Sequence, residues 1–488
     1  MLGRRIVRIA VVLMLACSCI PSLAQSSNAE LTAEQLSAID KFVNSEMTRR
    51  QIPGVALGVY SRGKILLARG YGMSNVELSV AVKPETVFQS GSVGKQFASA
   101  AIMMLVQEGK INLDDSIVQY FPNAPPSWKP ILIKNLLSHT SGLAEYESTD
   151  RTGPSGPFYL RLDFTEEQLV EKIEALPIDF KVGDQWDYRN TNYMLLGVII
   201  HKVTGKFYAD FLQERIFKPL GMTSTRLISE ADIIPNRASG YVLHHGELKN
   251  QEWVSPTFDS TADGTLYFNV LDIAKWDAAL YGTTLLKQSS LDRMWTVFPL
   301  NDGKPNSAHY GFGWFMENRN AHRSTEHGGS WQGFTCFILR YPDDNLSVAV
   351  LTNLAGSGPG AMAKVVAGLV NPALMPPRLS EIPDDQPALA ERLRKLLAQL
   401  VAGEDVRGQL SSEMAATLTP DAAGDTQSEL KQVWPPDSVL LVMRRQLGDM
   451  LGSVYRVSKG EHSRLITFAV DKDGKVAILA DSPDQQYQ

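Results

Sequence analysis

Three short segments of the chain carry side chains suited to acyl transfer through a serine. The first is Ser92-Val93-Gly94-Lys95, which puts a hydroxyl and an amine three residues apart just ahead of an apolar run. On a helix, residues three apart lie roughly 5–6 Å from each other on one face, so the two groups meet through local structure alone. The free N–H groups and the dipole at a helix start also favour negative charge developing beside the serine. Burial behind the apolar run lowers a lysine pKa and lets the amine act as a base, which a solvated lysine at neutral pH does poorly. Read in isolation, the same four residues also describe a serine helix cap followed by a solvated lysine.

The same chemistry requires a second proton carrier and a backbone cradle for the carbonyl oxygen. Trp186-Asp187-Tyr188-Arg189-Asn190 stands before the helical apolar run Tyr193 to Ile200, so Tyr188 and Asn190 are expected in the loop that enters that helix. A phenol beside the lysine can pass the serine proton to a leaving group, and the Asn190 amide can hold a substrate amide. Alone, Tyr188 reads equally as a packed aromatic. Glu326-His327-Gly328-Gly329-Ser330 precedes an apolar strand from Phe334, and its glycines let a strand backbone lie against a substrate with no side chain in between. The N–H groups of Ser330 and Ser92 are then candidates for an oxyanion hole, whose donors are each worth about 3–4 kcal/mol of transition-state stabilisation. A simple turn is the alternative for this segment.

Such groups need a scaffold, and the surrounding pattern predicts one of the α+β class. Val55 to Tyr60 and Lys64 to Ala68 flank Ser61-Arg62-Gly63, a hairpin signal. Phe334 to Arg340 and Leu346 to Leu351 flank the turn Tyr341 to Asn345, so the two ends of this region are expected to share one antiparallel sheet. Phe97 to Val106 is apolar nearly all round and stops at Gly109, as a helix buried between layers should. Residues 31–370 thus read as one large domain, an antiparallel sheet flanked by helices plus a mainly helical lobe. Residues 371–387 carry five prolines, Pro372, Pro376, Pro377, Pro383 and Pro387, and read as a semi-rigid linker. Residues 388–488 follow as a small α+β domain. It has a helix from Ala388 to Val401, ending before Gly403. Strands are expected over Ser438 to Met443, Ser453 to Val457 and Leu465 to Val470, with a turn at Asp473-Gly474.

Composition narrows the class. Hydrophobic residues at 44% and charged residues at 20% exclude a disordered or collagenous chain. The net charge of -6 arises from 53 acidic and 47 basic residues mixed along the sequence with no basic block, which argues against a nucleic-acid partner. Arg4, Arg5 and Arg8 precede an apolar run from Ile9 to Ala16 that is too short to span a bilayer, and Ser22-Leu23-Ala24 offers a cleavage site. Residues 1–24 therefore read as a signal peptide and the protein as periplasmic or secreted, with a lipid anchor on Cys17 or Cys19 as the rival. Cys336 would remain as the one cysteine, read as a small core residue of its strand. No later stretch predicts a transmembrane helix. The eight histidines show no metal-ligand spacing, and no Gly-x-Ser-x-Gly elbow or phosphate loop occurs, so no metal and no cofactor are expected. His244-His245 reads as a loop and His139 as a turn residue. Nothing in the sequence assigns an oligomeric state.

Together the three segments resemble the active-site motifs of the serine beta-lactamase and penicillin-binding-protein superfamily, whose signature is Ser-x-x-Lys with two partner motifs. The likeness is closest to the branch of class C beta-lactamases, D-alanyl-D-alanine carboxypeptidases and esterases, in which Tyr-x-Asn stands in place of Ser-x-Asn. Similar runs include Ile52-Pro53-Gly54, Gly70-Tyr71-Gly72, Phe88 to Ser92, Leu136 to Leu143 and Tyr310 to Trp314, so the resemblance covers about residues 34 to 370. It implies Ser92 as nucleophile, Lys95 and Tyr188 as proton-transfer groups, Asn190 as substrate ligand, and His327, Gly328, Gly329 and Ser330 as the substrate-binding strand. The implied activity is a serine hydrolase acting on amide, ester or lactam carbonyls of a small-molecule or peptide substrate, including cell-wall peptides. A catalytically idle sensor of cell-wall fragments is the alternative. His327 is a departure, since the lactamases usually carry lysine there. A largely neutral imidazole attracts a substrate carboxylate less than an ammonium does, which favours a peptidase or esterase over an efficient lactamase. Arg189, between Tyr188 and Asn190, is a candidate for the missing charge, with a solvated arginine as the favoured alternative.

Overall fold

The run Gly54–Ser61 (β1) has apolar residues at nearly every position, the pattern of a strand covered on both faces. In the computed structural model, which describes residues 30–319, 321–418, 420–447 and 450–484, its side chains alternate between two cores. Ala56 and Tyr60 join one, while Val55, Leu57 and Val59 join the other. The expected signal peptide, residues 1–24, lies outside the described residues. β1 turns through Arg62 (φ 51°) and Gly63 (φ 79°) into Lys64–Asn75 (β2), two left-handed positions that match the right-handed twist of the hairpin they join.

The short Val80–Ala81 (β3) and the late strands Phe315–Arg319 (β4), His322–Trp331 (β5), Phe334–Tyr341 (β6) and Leu346–Thr352 (β7) complete a seven-stranded sheet of order β3-β2-β1-β7-β6-β5-β4. The expected union of N- and C-terminal segments is the antiparallel pairing of β1 with β7, Val55 opposite Thr352 through Tyr60 opposite Ser347. β4 pairs with β5 only along His322 to Glu326, so no strand of the described residues covers the β4-side edge of β5 from His327 to Trp331.

Helices Ala33–Arg50 (α1) and, late in the chain, Pro359–Val370 cover one face of the sheet. The other face meets the larger core. There Lys95–Gln107 (α2) is buried at every position from Lys95 to Leu105 and runs between the sheet and the helical lobe that includes Asn190–Thr204 (α3). Val270–Ala279 (α4) crosses the same face. A buried ion pair joins α4 to the sheet: Arg340 Nε lies 2.7 Å from Asp277 Oδ1, with both residues at most 2% exposed. No helix among the described residues is long and apolar enough to cross a membrane.

Beyond residue 371 the chain follows a short 3-10 turn, Pro372–Leu374, and then helix Pro387–Ala402, capped by Gly403 in the left-handed conformation. Four strands, Ser438–Leu447 (β8), Met450–Lys459 (β9), His462–Val470 (β10) and Val476–Pro483 (β11), form a second antiparallel sheet in sequence order. It packs its own core, in which Leu393, Leu396, Leu397 and Leu400 of the helix meet Tyr455, Ile466 and Phe468. Two helices, Ser412–Thr417 and Pro420–Lys431, fill a stretch for which the sequence predicted no element. The proline-rich stretch is held against this second sheet: Ile382 N–H donates to Leu441 O (2.9 Å), and Arg456 donates to Leu379 O (3.0 Å).

Candidate active site

Ser92 sits in a 3-10 turn, Gly91–Gly94, that runs directly into α2. The turn is anchored from below by Ser90, whose hydroxyl donates to Gly264 O (3.1 Å) and accepts from Leu266 N–H (3.1 Å). One helical step on, Lys95 is fully buried while Ser92 remains half-exposed. Lys95 Nζ lies 3.0 Å from Ser92 Oγ, 2.7 Å from Asn190 Oδ1 and in contact with the Asp263 carbonyl oxygen. The last two are acceptors only. A neutral amine satisfies them with its two hydrogens and leaves its lone pair facing the Ser92 hydroxyl. Burial pushes the Lys95 pKa down to about 8, against the opposing pull of Asp263, Glu147 and Glu145.

Tyr188 and Asn190 enter on the loop that starts α3, as the sequence predicts, with Asn190 as its first residue. His139 holds that loop. Its backbone is left-handed (φ 59°), its carbonyl accepts from Asp187 N–H (3.0 Å), and its Nδ1 accepts from Arg189 N–H (3.2 Å) and lies 3.1 Å from the Asn192 amide nitrogen. The His139 ring lies 4.3 Å from the Tyr188 ring, centroid to centroid. Tyr188 is therefore wedged over the site, with Lys95 Nζ 4.9 Å from its ring centre. Burial drives the phenol pKa well above its ordinary value, opposed mainly by the nearby Ser92 hydroxyl, although no close hydrogen bond occupies the phenol oxygen. Arg189 supplies no cation to the cleft, because its guanidinium pairs with Asp179 (3.0 Å) and Asp187.

Glu326 to Ser330 belongs to strand β5 and is not a turn. Gly329 is where this strand meets the turn that carries Ser92. A Cβ there would stand 2.1 Å from Ser90 O and 2.7 Å from Ser92 N, and one on Gly91 (φ +47°) would stand 2.2 Å from Ser330 N. Only bare backbone fits, so the turn that carries Ser92 and the strand that carries Ser330 lie backbone against backbone. His327 is 2% exposed. Its Nδ1 lies 2.6 Å from Gly328 O and must carry the proton, so Nε2 accepts from the Tyr310 hydroxyl at 3.0 Å. Burial lowers its pKa to about 3, so the ring is neutral and places no positive charge at the lysine position of the lactamases.

Sequence reasoning missed the acidic surroundings of Lys95. Glu147 accepts from the Asn190 amide (2.7 Å), which fixes the Asn190 oxygen toward the lysine. Glu145 accepts from Asn190 N–H (2.6 Å), and the Tyr146 hydroxyl bridges Glu147 (2.9 Å) and Asp263 (2.6 Å). Burial raises the Glu147 pKa well above the ordinary carboxyl value, with the nearby Asp263 and Glu145 carboxylates adding to the shift. Glu145-Tyr146-Glu147 is visible in the sequence only as two acids around an aromatic, and Asp263-Gly264 reads as an ordinary turn. Among the described residues no group of three or more His, Cys, Asp or Glu is placed to hold a metal ion. Cys336 is buried in its strand, as expected, with its thiol 3.1 Å from Gln89 O.

Comparison with known proteins adds four findings. Residues 39–371 match the family model described as beta-lactamase. Penicillin-binding protein 4* of Bacillus subtilis (strain 168) is 29% identical over 323 residues, 62% of this chain and 69% of that protein. Protein flp of Staphylococcus aureus (strain N315) is 29% identical over 337 residues, 66% of this chain but 64% of that protein, so the chain spans less than two thirds of its length. Among solved structures, the octameric penicillin-binding protein homologue from Pyrococcus abyssi has a similar fold at TM-score 0.62 and 23% identity, covering 92% of this chain and 96% of that one. That coverage extends past residue 371, so the likeness in fold takes in the C-terminal region.

Proposed function

The chain belongs to the beta-lactamase family, within the serine beta-lactamase and penicillin-binding-protein superfamily, and on that premise we propose that it is a serine hydrolase forming an acyl-enzyme on Ser92. The observation that carries the reading is the environment of Lys95 Nζ: two obligate acceptors take its hydrogens, and the remaining direction points at Ser92 Oγ. With its pKa near 8, a useful fraction of the amine is neutral at ordinary pH. Ser92 Oγ attacks the substrate carbonyl and passes its proton to Lys95. The oxyanion forms between the N–H groups of Ser92 and Ser330. Tyr188, touching both the lysine and the serine region, relays the proton to the departing amine or alcohol, and the C–N or C–O bond breaks to leave the ester on Ser92. Water then attacks the ester, gives its proton back through the same pair, and restores the Ser92 hydroxyl. Asn190 and the open edge of β5 hold the substrate, the edge pairing with an extended backbone as an added strand.

The neutral His327 supports a peptide or ester as substrate over a beta-lactam whose carboxylate needs a cation. A D-alanyl-D-alanine peptide and a short acyl ester, assayed side by side, separate peptidase from esterase. A binding module has no need of a desolvated amine facing a hydroxyl, so the idle-sensor alternative draws no support from the site. The arginine-led apolar stretch before residue 25 supports export to the periplasm or the medium. The central test is mass spectrometry after treatment with a fluorophosphonate. The expected result is one adduct on Ser92, formed at least about a hundredfold more slowly in Lys95→Met. Absence of any adduct on Ser92 overturns the proposal.

A further inference from the structure

The cleft that opens over Ser92 does not end at the catalytic strand. A single cavity of about 910 Å³ takes in Ser92, Tyr188 and His327 and continues past the uncovered edge of β5 to the C-terminal sheet. Its apolar walls are Phe315 and Phe337 beside the catalytic strand, and Leu379, Met443 and Leu465 on the side of the C-terminal sheet. Most charged groups in the lining are closely matched, Arg50 with Glu46 (2.8 Å), Lys364 with Glu326 (3.0 Å) and Asp484 with Arg456 and Ser463 (2.9 Å), while the exposed Arg319 keeps only a 3.8 Å contact with Glu326. Apart from Arg319, which stands on β4, what the lining offers an occupant toward the C-terminal sheet is mainly apolar surface.

The strand geometry of the C-terminal sheet turns two residues toward this space. On β8, Leu441 stands opposite Tyr455 and both belong to the core of that sheet. Regular alternation would put Met443 on the same core face. The register shifts between them instead, Val442 is the extra residue, and Met443 stands opposite Val454 on the other face. Leu465 of β10 stands opposite Arg456, also on that face. Both Met443 and Leu465 are half-buried side chains that line the cavity, while their neighbours Leu441 and Ile466 fill the core.

We propose that the C-terminal sheet completes the substrate site by forming, through Met443 and Leu465, an apolar subsite for an uncharged hydrocarbon or aryl chain carried by the substrate. The occupant follows from continuity: a chain on a carbonyl held at Ser92 has this cavity as its way out. The inference rests on the reading of Ser92 as the nucleophile, and the test is arranged to separate the two. In the full-length Ser92→Ala protein no acyl-enzyme can form, so equilibrium binding reads the subsite alone. Calorimetric titration with ethyl octanoate and with octyl acetate, each against ethyl acetate, distinguishes a chain on the acyl side from one on the alcohol side. Burying one methylene is worth about fourfold in affinity, so at least one long-chain ester should bind more than about tenfold tighter than ethyl acetate. Met443→Asp and Leu465→Asp, in the same background, should each cut that preference about tenfold. Met443→Ala, which removes contact area without adding charge, should cut it severalfold and serves if an aspartate variant fails to fold. Equal affinity for long and short esters overturns the proposal, and so does a preference that survives all three substitutions. Failure of Ser92 to label in the parent protein overturns the catalytic reading and leaves the binding result standing.

Discussion

Gly329→Ala tests how closely β5 must approach Ser92 for the proposed oxyanion hole to form. The added methyl would stand 2.1 Å from Ser90 O and 2.7 Å from Ser92 N, both backbone atoms on a turn that Ser90 anchors at 3.1 Å to Gly264. Restoring an ordinary contact of 3.4 Å requires strand and turn to part by more than an ångström. An oxyanion-hole donor displaced that far contributes little, and loss of one such donor costs about 10²–10³ in kcat. Gly328→Ala is the internal control. Its methyl would meet first the Phe337 ring, at 3.2 Å, a side chain at the cavity wall that can give by a few tenths of an ångström. Steady-state kinetics on a short ester should therefore show a loss of roughly a hundredfold or more in kcat for G329A and less than about tenfold for G328A. Circular dichroism and melting temperature establish that both variants fold. Two folded variants with equal losses, or a G329A protein with near-parental kcat, would refute the oxyanion role of the Ser92 and Ser330 amides.

Asp263→Asn removes the carboxylate that does most to raise the Lys95 pKa, so the amine becomes easier to deprotonate. The acid limb of kcat/KM, expected near pH 8 in the parent, should move to lower pH; a shift to higher pH contradicts the role of Lys95 as base. His327, with its pKa lowered to about 3, should show no imidazole titration by NMR between about pH 5 and 8, and a midpoint near 6.5 would mean the ring is not buried as described. Asp277→Ala strands the buried Arg340 guanidinium between the rings of Tyr281 and Trp295, which should cost about 3–5 kcal/mol in denaturant unfolding; a change below about 1 kcal/mol would count against the pair as a structural tie.

The parts of this architecture that were legible in the sequence are those set by local pattern. Ser92 and Lys95 share one helical step, β1 and β2 are joined by a two-residue turn, and α2 announces its burial by having no polar face. The helix from Pro387 and three of the C-terminal strands follow the same logic. The carboxylates around Lys95 were not legible, because Glu145, Glu147 and Asp263 reach it from loops whose meeting depends on how the helical lobe packs. The depth of His327 was also out of reach. Its neutrality at pH 7 could be expected of any histidine, but the roof of Tyr310 and Phe315 that pushes its pKa to about 3 is a tertiary fact. The two helices between Ser412 and Lys431 escaped because that stretch is polar and rich in small residues, with a weak apolar stripe.

The three partners of Lys95 Nζ come from positions 3, 95 and 168 residues away along the chain. Formation of α2 alone during folding thus produces a serine beside a lysine that water still surrounds and keeps protonated. On the proposed mechanism, reactivity requires the long-range packing of α3 and of the segment bearing Asp263 against α2, since that packing supplies the acceptors of the amine hydrogens. Covalent labelling of Ser92 should therefore depend on the native packing around Lys95 and fall when that packing opens.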